Sequence, residues 1–476
     1  RPARRAPGPA RTRQRGAQAR AHGLRLSFSD MFKKILIANR GEIALRIIRA
    51  CREMGIATVA VHSKADEESL HVKLADESVC IGPPQSKLSY LNVAALVSAA
   101  DLCGVDAIHP GYGFLAENAD FARICEQCNV TFIGPKPEQI SKMGDKATAR
   151  RIAKEAGVPM LPGTGILRDV EDAARRADEI GYPVMLKATA GGGGRGIQII
   201  YHPSQLRTSF ERVRSEAAAA FGLGDCYMEK FCEHPKHIEI QVLCDGKGNN
   251  LSLGERDCTV QRRHQKLIEE APSPVVDAEL RKKMSDAAIR LCQAVDYLGV
   301  GTVEFLVDEK KNFYFMEMNT RIQVEHPVTE MVTGIDLIKK QILVAAGYGH
   351  GLKNEDVVIN GHAIECRINA EDPEKMVPSP GVISTYHAPG GYGVRVDSFV
   401  YQNYRVQPFY DSMIGKLICH APTRDEAIAK MSCALSEIVV GGIHTNVAFQ
   451  RKIILHPKFK TAEYDTHFLE EVLAKY

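Results

Sequence analysis

No stretch of the chain approaches the roughly 20 consecutive apolar residues needed to cross a bilayer, so no membrane-spanning helix is expected. Charge of one sign is also missing, because 61 Lys and Arg against 58 Asp and Glu leave a net +3 over 476 residues. That balance gives no electrostatic footprint for nucleic acid or a membrane surface. The 13 cysteines are odd in number and scattered, which excludes a regular disulfide framework and fits a reducing compartment. Cys125 and Cys128 form a CxxC, but no second pair or nearby His completes a tetrahedral zinc site. The turn after the first apolar run lacks GxGxxG, which argues against a nicotinamide dinucleotide site.

What is present is a chain with 45% hydrophobic and 25% charged residues, too long for a single hydrophobic core and expected to form two or three domains. Residues 1–30 are rich in Arg, Pro and Ala and hold a single acidic residue. They show no periodicity that could bury a face, and a disordered basic extension is expected. Their Arg-rich, acid-poor composition fits an organelle transit peptide, whereas their few hydroxyls, Thr12, Ser27 and Ser29, do not. A misread upstream stretch ending at Met31 fits as well.

Ile35 to Ala38, then Asn39-Arg40-Gly41, then Ile43, Ile47, Ala50, Cys51 and Met54 at helical spacing read as strand, turn and helix. The later runs Ala57 to Val61, Ala107-Ile108 and Thr131 to Ile133 alternate with helical stretches, so residues 31–143 are expected to form a parallel sheet covered by helices. Residues 144–347 carry the Gly-rich segment and strands with charged positions, where chemistry is expected. Residues 348–476 mix strands such as His362 to Ile368 with Pro/Gly turns and a helix near Asp425 to Leu435, reading as a smaller α+β domain. The fold class is thus multidomain, α/β followed by α+β.

Three segments could carry chemistry. Ala190 to Gly196 (AGGGGRG) follows a strand ending in Lys187, and glycines let backbone N–H groups approach phosphate closely. It lacks the GK[ST] ending of a P-loop, and a flexible linker is the bland alternative. From Phe313 to His326 an extended strand would place Glu317, Asn319, Arg321, Gln323 and Glu325 in one phase, with Met316, Met318, Ile322 and Val324 in the other. Thr302 to Val307 reads as its hairpin partner through Asp308 to Lys311, so Glu304 and Glu317 would converge. With Asn319 they are hard oxygen ligands of the kind Mg²⁺ prefers; an exposed charged edge is the alternative. The third segment, Gly254 to Pro274, gathers Arg256, Arg262, Arg263, His264 and Lys266 without clear helical or strand periodicity. It suits anions, while the lack of aromatics argues against nucleic acid; a solvated charged loop is the alternative.

IANRGEIALRIIRA, HPGYGFLAEN, MGDKATAR, KATAGGGGRG, GERDCTVQRRHQKLIEEAPSP, FMEMNTRIQVEHPVTE and GHAIECRINAEDP together resemble the biotin carboxylase family, within the wider ATP-grasp superfamily. The resemblance covers Met31 to the C-terminus. It implies an N-terminal β/α domain, an ATP-grasp region with a mobile lid at about 161–231, and a C-terminal α+β domain. It implies ATP contacts from Lys146, Lys187, Gly193, Gly194, Glu229, Lys230, Phe231, Cys232, His237, Gln261 and His264. Glu304, Glu317 and Asn319 would hold Mg²⁺ or Mn²⁺. Lys266, Arg321, Gln323 and Val324 would fix bicarbonate, Glu325 would be its general base, and Arg367 with Tyr112 would serve biotin. Ala190 departs from a glycine common in bacterial members.

The implied activity is ATP-dependent carboxylation of biotin through carboxyphosphate, the first half-reaction of acetyl-CoA carboxylase in fatty acid synthesis. Another acyl-CoA or pyruvate carboxylase is the alternative setting. No Met-Lys-Met motif occurs, so a separate biotin carboxyl carrier protein and carboxyltransferase subunits are the expected partners. A homodimer is implied, with a cytoplasmic location, or a plastid one if residues 1–30 are a transit peptide. An amine-joining ATP-grasp ligase and a non-catalytic nucleotide-sensing scaffold are the rival classes; the first lacks IQVEHPVTE, and the second has no need of Glu325, Lys266 and Arg367 together.

Overall fold

The apolar runs that follow Met31 form a parallel sheet in the computed structural model, which describes residues 31–188, 196–221, 224–263, 265–373, 375 and 377–473. Residues 1–30, the glycines at 191–194 and His264 lie outside the described residues. The strand order is Glu77–Gly82, Ala57–Ser63, Lys34–Ile37, Ala107–His109 and Thr131–Phe132, all parallel. Glu77–Gly82 was not among the predicted runs because it is a largely exposed edge strand without an apolar stretch. Helices Val93–Cys103 and Ala119–Gln127 pack on Leu36, Val59 and Ile108. The Asn92 and Asn118 side chains cap them by accepting from Ala95 N and Phe121 N.

Eight antiparallel strands make the central sheet, in the order Phe313–Asn319, Leu298–Val307, Lys236–Asp245, Asn250–Arg262, Gln265–Ala271, His362–Asn369, Met413–Ala421 and Val394–Ser398. This sheet runs without a break across the expected boundary at 347/348. The basic segment Gly254 to Pro274 is not irregular. It supplies the two paired strands Asn250–Arg262 and Gln265–Ala271, and bulges in their ladder hide the period-two pattern. The C-terminal region continues beyond helix Arg424–Glu437 into helices Val447–Ile454, Pro457–Thr461 and Phe468–Leu473.

One face of the central sheet is apolar. Ile238, Ile240, Val242, Val303, Phe305 and Val307 alternate inward and pack on Leu280, Met284, Ala287 and Leu291 of helix Ala278–Ala294. The other face carries His237, Glu239, Gln241, Thr302 and Glu304, all buried. A third sheet, Ile197–Ile200, Val184–Ala188 and Cys226–Lys230, joins helix Val170–Ile180 around a separate small core of Leu167, Ala173, Leu186, Phe210 and Met228.

The predicted long strand ends early. Phe313–Asn319 leaves its ladder at the Thr302 to Asn319 pair, residues 320–325 are irregular, and helix His326–Thr333 begins with Pro327 in its first turn. A bulge sets Glu304 opposite Glu317 and Phe305 opposite Phe315. Met316 is the extra residue and lies exposed rather than in the core phase. Among the described residues no helix is long and apolar enough to cross a membrane.

Candidate active site

Adjacent strands place three carboxylates in one line across the polar face, with Glu239 directly opposite Glu304 and Glu304 directly opposite Glu317. Like charges directly opposite one another repel, so the arrangement needs cations. Lys266, from strand Gln265–Ala271 on the far side of Asn250–Arg262, supplies one: its Nζ lies 2.6 Å from Glu239 Oε2, 2.9 Å from Glu304 Oε1 and 2.7 Å from Glu325 Oε1. Burial would lower this ammonium's pKa, but Glu239, Glu304 and Glu325 outweigh it and hold it well above the ordinary lysine range.

Arg256 supplies the second cation. Fully buried, it pairs through Nε with Glu239 and donates to Gln241 Oε1 at 2.5 Å, Thr329 Oγ1 at 3.0 Å, Thr302 Oγ1 at 3.1 Å and Gln323 Oε1 at 3.0 Å. Gln323 passes the connection on, donating to Glu304 Oε1 at 2.8 Å. The other Glu304 oxygen faces His237 Nε2 at 2.9 Å. Burial would raise the Glu304 carboxyl, but Lys266 and His237 hold it well below the usual carboxylate range.

Glu325 stands at the N-terminus of helix His326–Thr333, yet its carboxylate does not cap it. One oxygen meets Lys266 and the other accepts from Arg367 at 3.0 Å. Burial pushes this carboxyl up, but Lys266, Arg367 and Arg256 outweigh it and keep it ionised, well below the usual range. The alternation placing Glu325 in line with Arg321 therefore does not hold. Arg321 instead donates to Glu117 Oε2 at 2.8 Å, Asn319 Oδ1 at 3.0 Å and the Ile322 carbonyl at 3.2 Å. Glu117, from the parallel-sheet region, also accepts from Thr320 N at 3.0 Å, so it fixes the stretch where the strand ends.

Two sets, His237 with Glu239 and Glu304, and Glu239 with Cys258 and Glu325, have the spacing of metal ligands. Lys266 touches carboxylates of both and already supplies their positive charge. Glu317 differs: it is half-buried, with no hydrogen bond among the described residues, and its carboxyl is raised by burial and by Glu304, with Lys146 opposing. An ionised carboxylate beside another, with an amide oxygen at Asn319, fits a hard divalent cation.

The expected nucleotide residues divide. Lys187 Nζ lies 2.6 Å from Glu229 Oε2, and Arg150, which the sequence did not single out, lies 2.6 Å from Glu229 Oε1. Lys230 donates to the Gly181 and Tyr182 carbonyls at 3.0 and 2.9 Å, fastening the three-stranded unit internally. Phe231 packs edge-on to Tyr201, and burial pushes the Cys232 thiol up to about 11. Gln261 is the ladder partner of Lys266. Tyr112 donates to Glu42, and Lys416 donates to the Val324 carbonyl at 2.6 Å. A cavity of about 510 Å³ lined by His234, Lys236, Tyr464 and Asp465 contains none of the expected site residues.

A buried carboxylate row on an antiparallel sheet, flanked by a small three-stranded unit and a parallel-sheet domain, defines an ATP-grasp enzyme. The family described as "Biotin carboxylase, N-terminal domain" matches residues 31–140. "Carbamoyl-phosphate synthase L chain, ATP binding domain" matches 145–353, and "Biotin carboxylase C-terminal domain" matches 365–471. Biotin carboxylase 1 of Bacillus subtilis is 60% identical over 443 residues, covering 92% of this chain and 98% of that protein. The crystal structure of a biotin carboxylase–β-γ-ATP complex from Campylobacter jejuni has a TM-score of 0.88 at 49% identity, over 94% of this chain and 100% of that one. The biotin carboxylase domain dimer of Hydrogenobacter thermophilus 2-oxoglutarate carboxylase, in complex with MgADP, ADP and bicarbonate, has a TM-score of 0.85 at 50% identity, over 93% and 98%. The chain belongs to the biotin carboxylase family.

Proposed function

We propose that the chain carboxylates biotin with bicarbonate at the expense of ATP, and that Lys266 and Arg367, both resting on Glu325, organise the reaction. The observation that carries this reading is the Lys266 ammonium shared by Glu239, Glu304 and Glu325. An anion entering beside Lys266 and Arg321 competes with Glu325 for the Lys266 charge, and Glu325 then becomes basic enough to take the bicarbonate proton. Freed of that proton, bicarbonate attacks the γ-phosphorus of ATP, the bond to the β,γ-bridging oxygen breaks, and carboxyphosphate and ADP result. Lys146 and Lys187 offset charge on the phosphoryl oxygens, and Lys187 leaves Glu229 to do so.

Glu304, Glu317 and Asn319 would hold Mg²⁺, or Mn²⁺ in its place, which supplies Lewis-acid neutralisation of the phosphates when bound. Carboxyphosphate releases carbon dioxide, its phosphate takes the ureido proton, Arg367 stabilises the resulting enolate oxygen of biotin, with Tyr112 nearby, and the ureido nitrogen adds to the carbon dioxide to give carboxybiotin. The three-stranded unit, with its own core, is suited to close as a lid over ATP. The setting proposed is the first half-reaction of acetyl-CoA carboxylase, with a separate carrier protein and carboxyltransferase and a homodimeric enzyme. The test is ATP cleavage with Mg²⁺ and bicarbonate, with and without free biotin. Stimulation by biotin is expected, and equal rates reject the reading.

A further inference from the structure

Beside Arg367 lie two acids that the reaction as derived does not use. Glu269 and Glu365 are direct partners in the ladder between Gln265–Ala271 and His362–Asn369, so their side chains project from the same face at neighbouring positions. Both are fully buried. Glu269 Oε1 accepts from Arg367 Nε at 2.6 Å, while Glu269 Oε2 and both Glu365 oxygens have no hydrogen-bond partner among the described residues.

Three buried acceptor oxygens on two carboxylates, all lacking donors, are not sustainable if both groups are ionised. A single proton on the pair relieves the repulsion and supplies a missing donor. We propose that Glu269 and Glu365 share one proton and act as a positioning pair, seating Nε and Nη2 of Arg367 on Glu269 so that Nη2 also reaches Glu325 and the developing biotin oxyanion. The role of Arg367 is the one proposed above, so this inference rests on that reading. Neither acid touches substrate; both act through Arg367.

The surrounding charges agree. The pair is faced by Arg367, Lys416, Lys266 and Glu325, with Tyr112, Cys258 and Cys366 as the other titratable groups. Burial is the largest influence on Glu269 and, against Arg367, raises it to about 7. Burial likewise raises Glu365 well above the carboxylate range despite Lys416. Lys416 is paired with Glu42 at 3.2 Å and donates to the Val324 carbonyl at 2.6 Å, so it opposes but does not outweigh the effect of burial on Glu365. Losing the shared proton at alkaline pH leaves two anions beside Arg367, drawing the guanidinium back from Glu325.

Glu365→Gln replaces the shared proton with a permanent N–H donor to Glu269, whereas Glu365→Ala removes the donor. Biotin-dependent ATP cleavage is expected to survive in Glu365→Gln with a flattened alkaline limb. In Glu365→Ala it should fall about 10-fold to 100-fold, as when a buried bond supporting a charged group is lost, with ATP affinity kept. Equal losses in both variants, or an unchanged alkaline limb in Glu365→Gln, overturn the proposal. Infrared difference spectra of the full chain supply a readout independent of activity. The C=O band of a protonated buried carboxyl should be present in the wild type, fade as pH rises, and be missing from Glu365→Gln. A wild type without that band refutes the shared proton even if biotin stimulates turnover, and a wild type with the band but no biotin stimulation refutes only the functional reading beneath it.

Discussion

Replacing Lys266 with Met keeps the length and apolar stem of the side chain but removes the charge that Glu239, Glu304 and Glu325 share at 2.6, 2.9 and 2.7 Å. Carboxylates on adjacent strands stand about 5 Å apart. At an effective dielectric constant of about 20, each such pair repels by about 3 kcal/mol, equivalent to roughly 2 pKa units. Arg256 still compensates Glu239, so the cost should match the removal of one partner from a buried ion pair, about 3–5 kcal/mol.

The pH dependence should reverse sign. In the wild type, Glu304 and Glu325 are held below their ordinary value of 4.5. Their contribution is therefore present above about pH 4.5 and lost as pH falls toward their folded values. In Lys266→Met, burial and mutual repulsion act without the ammonium, so at least one folded carboxyl should titrate above its unfolded value. Such a group destabilises as pH rises through the folded pKa. Melting temperature measured from pH 5 to pH 8 should show the variant near wild type at pH 5 and about 5–10 °C lower at pH 8. Parallel wild-type and variant curves over that range would falsify the shared-clamp account.

Glu325→Gln should keep ATP affinity and lower biotin-dependent turnover by about 10²-fold or more, the range for a general base; a parallel collapse of turnover, affinity and melting temperature would instead mark a structural ion pair. Glu117→Gln removes the half-exposed anchor of Arg321, so the bicarbonate KM should rise by about 5-fold with the ATP KM unchanged; steady-state kinetics with both substrates varied decides it. Glu317→Gln should raise the Mg²⁺ concentration needed for half-maximal ATP cleavage while leaving the fold intact by circular dichroism, and an unchanged Mg²⁺ requirement removes Glu317 from the metal site. Light scattering at micromolar concentration should give twice the 52.4 kDa chain mass, and a monomer rejects the dimer.

Period-two alternation and a short loop were enough to pair Thr302 to Val307 with Phe313 to Asn319, because ladder register inside a hairpin is a local property, whereas the bulge at Met316 is what sets Glu304 opposite Glu317. The parallel sheet after Met31 was legible for the same reason, since runs buried on both faces are apolar throughout. Family motifs singled out Lys266, Arg321, Glu325 and Arg367 as candidates, but not which of them meet. Glu239 was not singled out, although the alternation His237, Glu239, Gln241 against Ile238, Ile240, Val242 is a signal that could have found it; that alternation gives no sign that Lys266 would lie over it.

That pairing, the buried Arg256 fork, the Glu117 anchor and the ladder pairing of Glu269 with Glu365 were decided by tertiary structure. Each joins strands or domains far apart in the chain, and a lone charge within an apolar strand carries no mark of its partner. Glu325 shows the limit most directly. Alternation was extended through it past Asn319, but the partner strand, the Glu117 anchor and Pro327 end the strand there, turning the carboxylate from Arg321 toward Lys266 and Arg367.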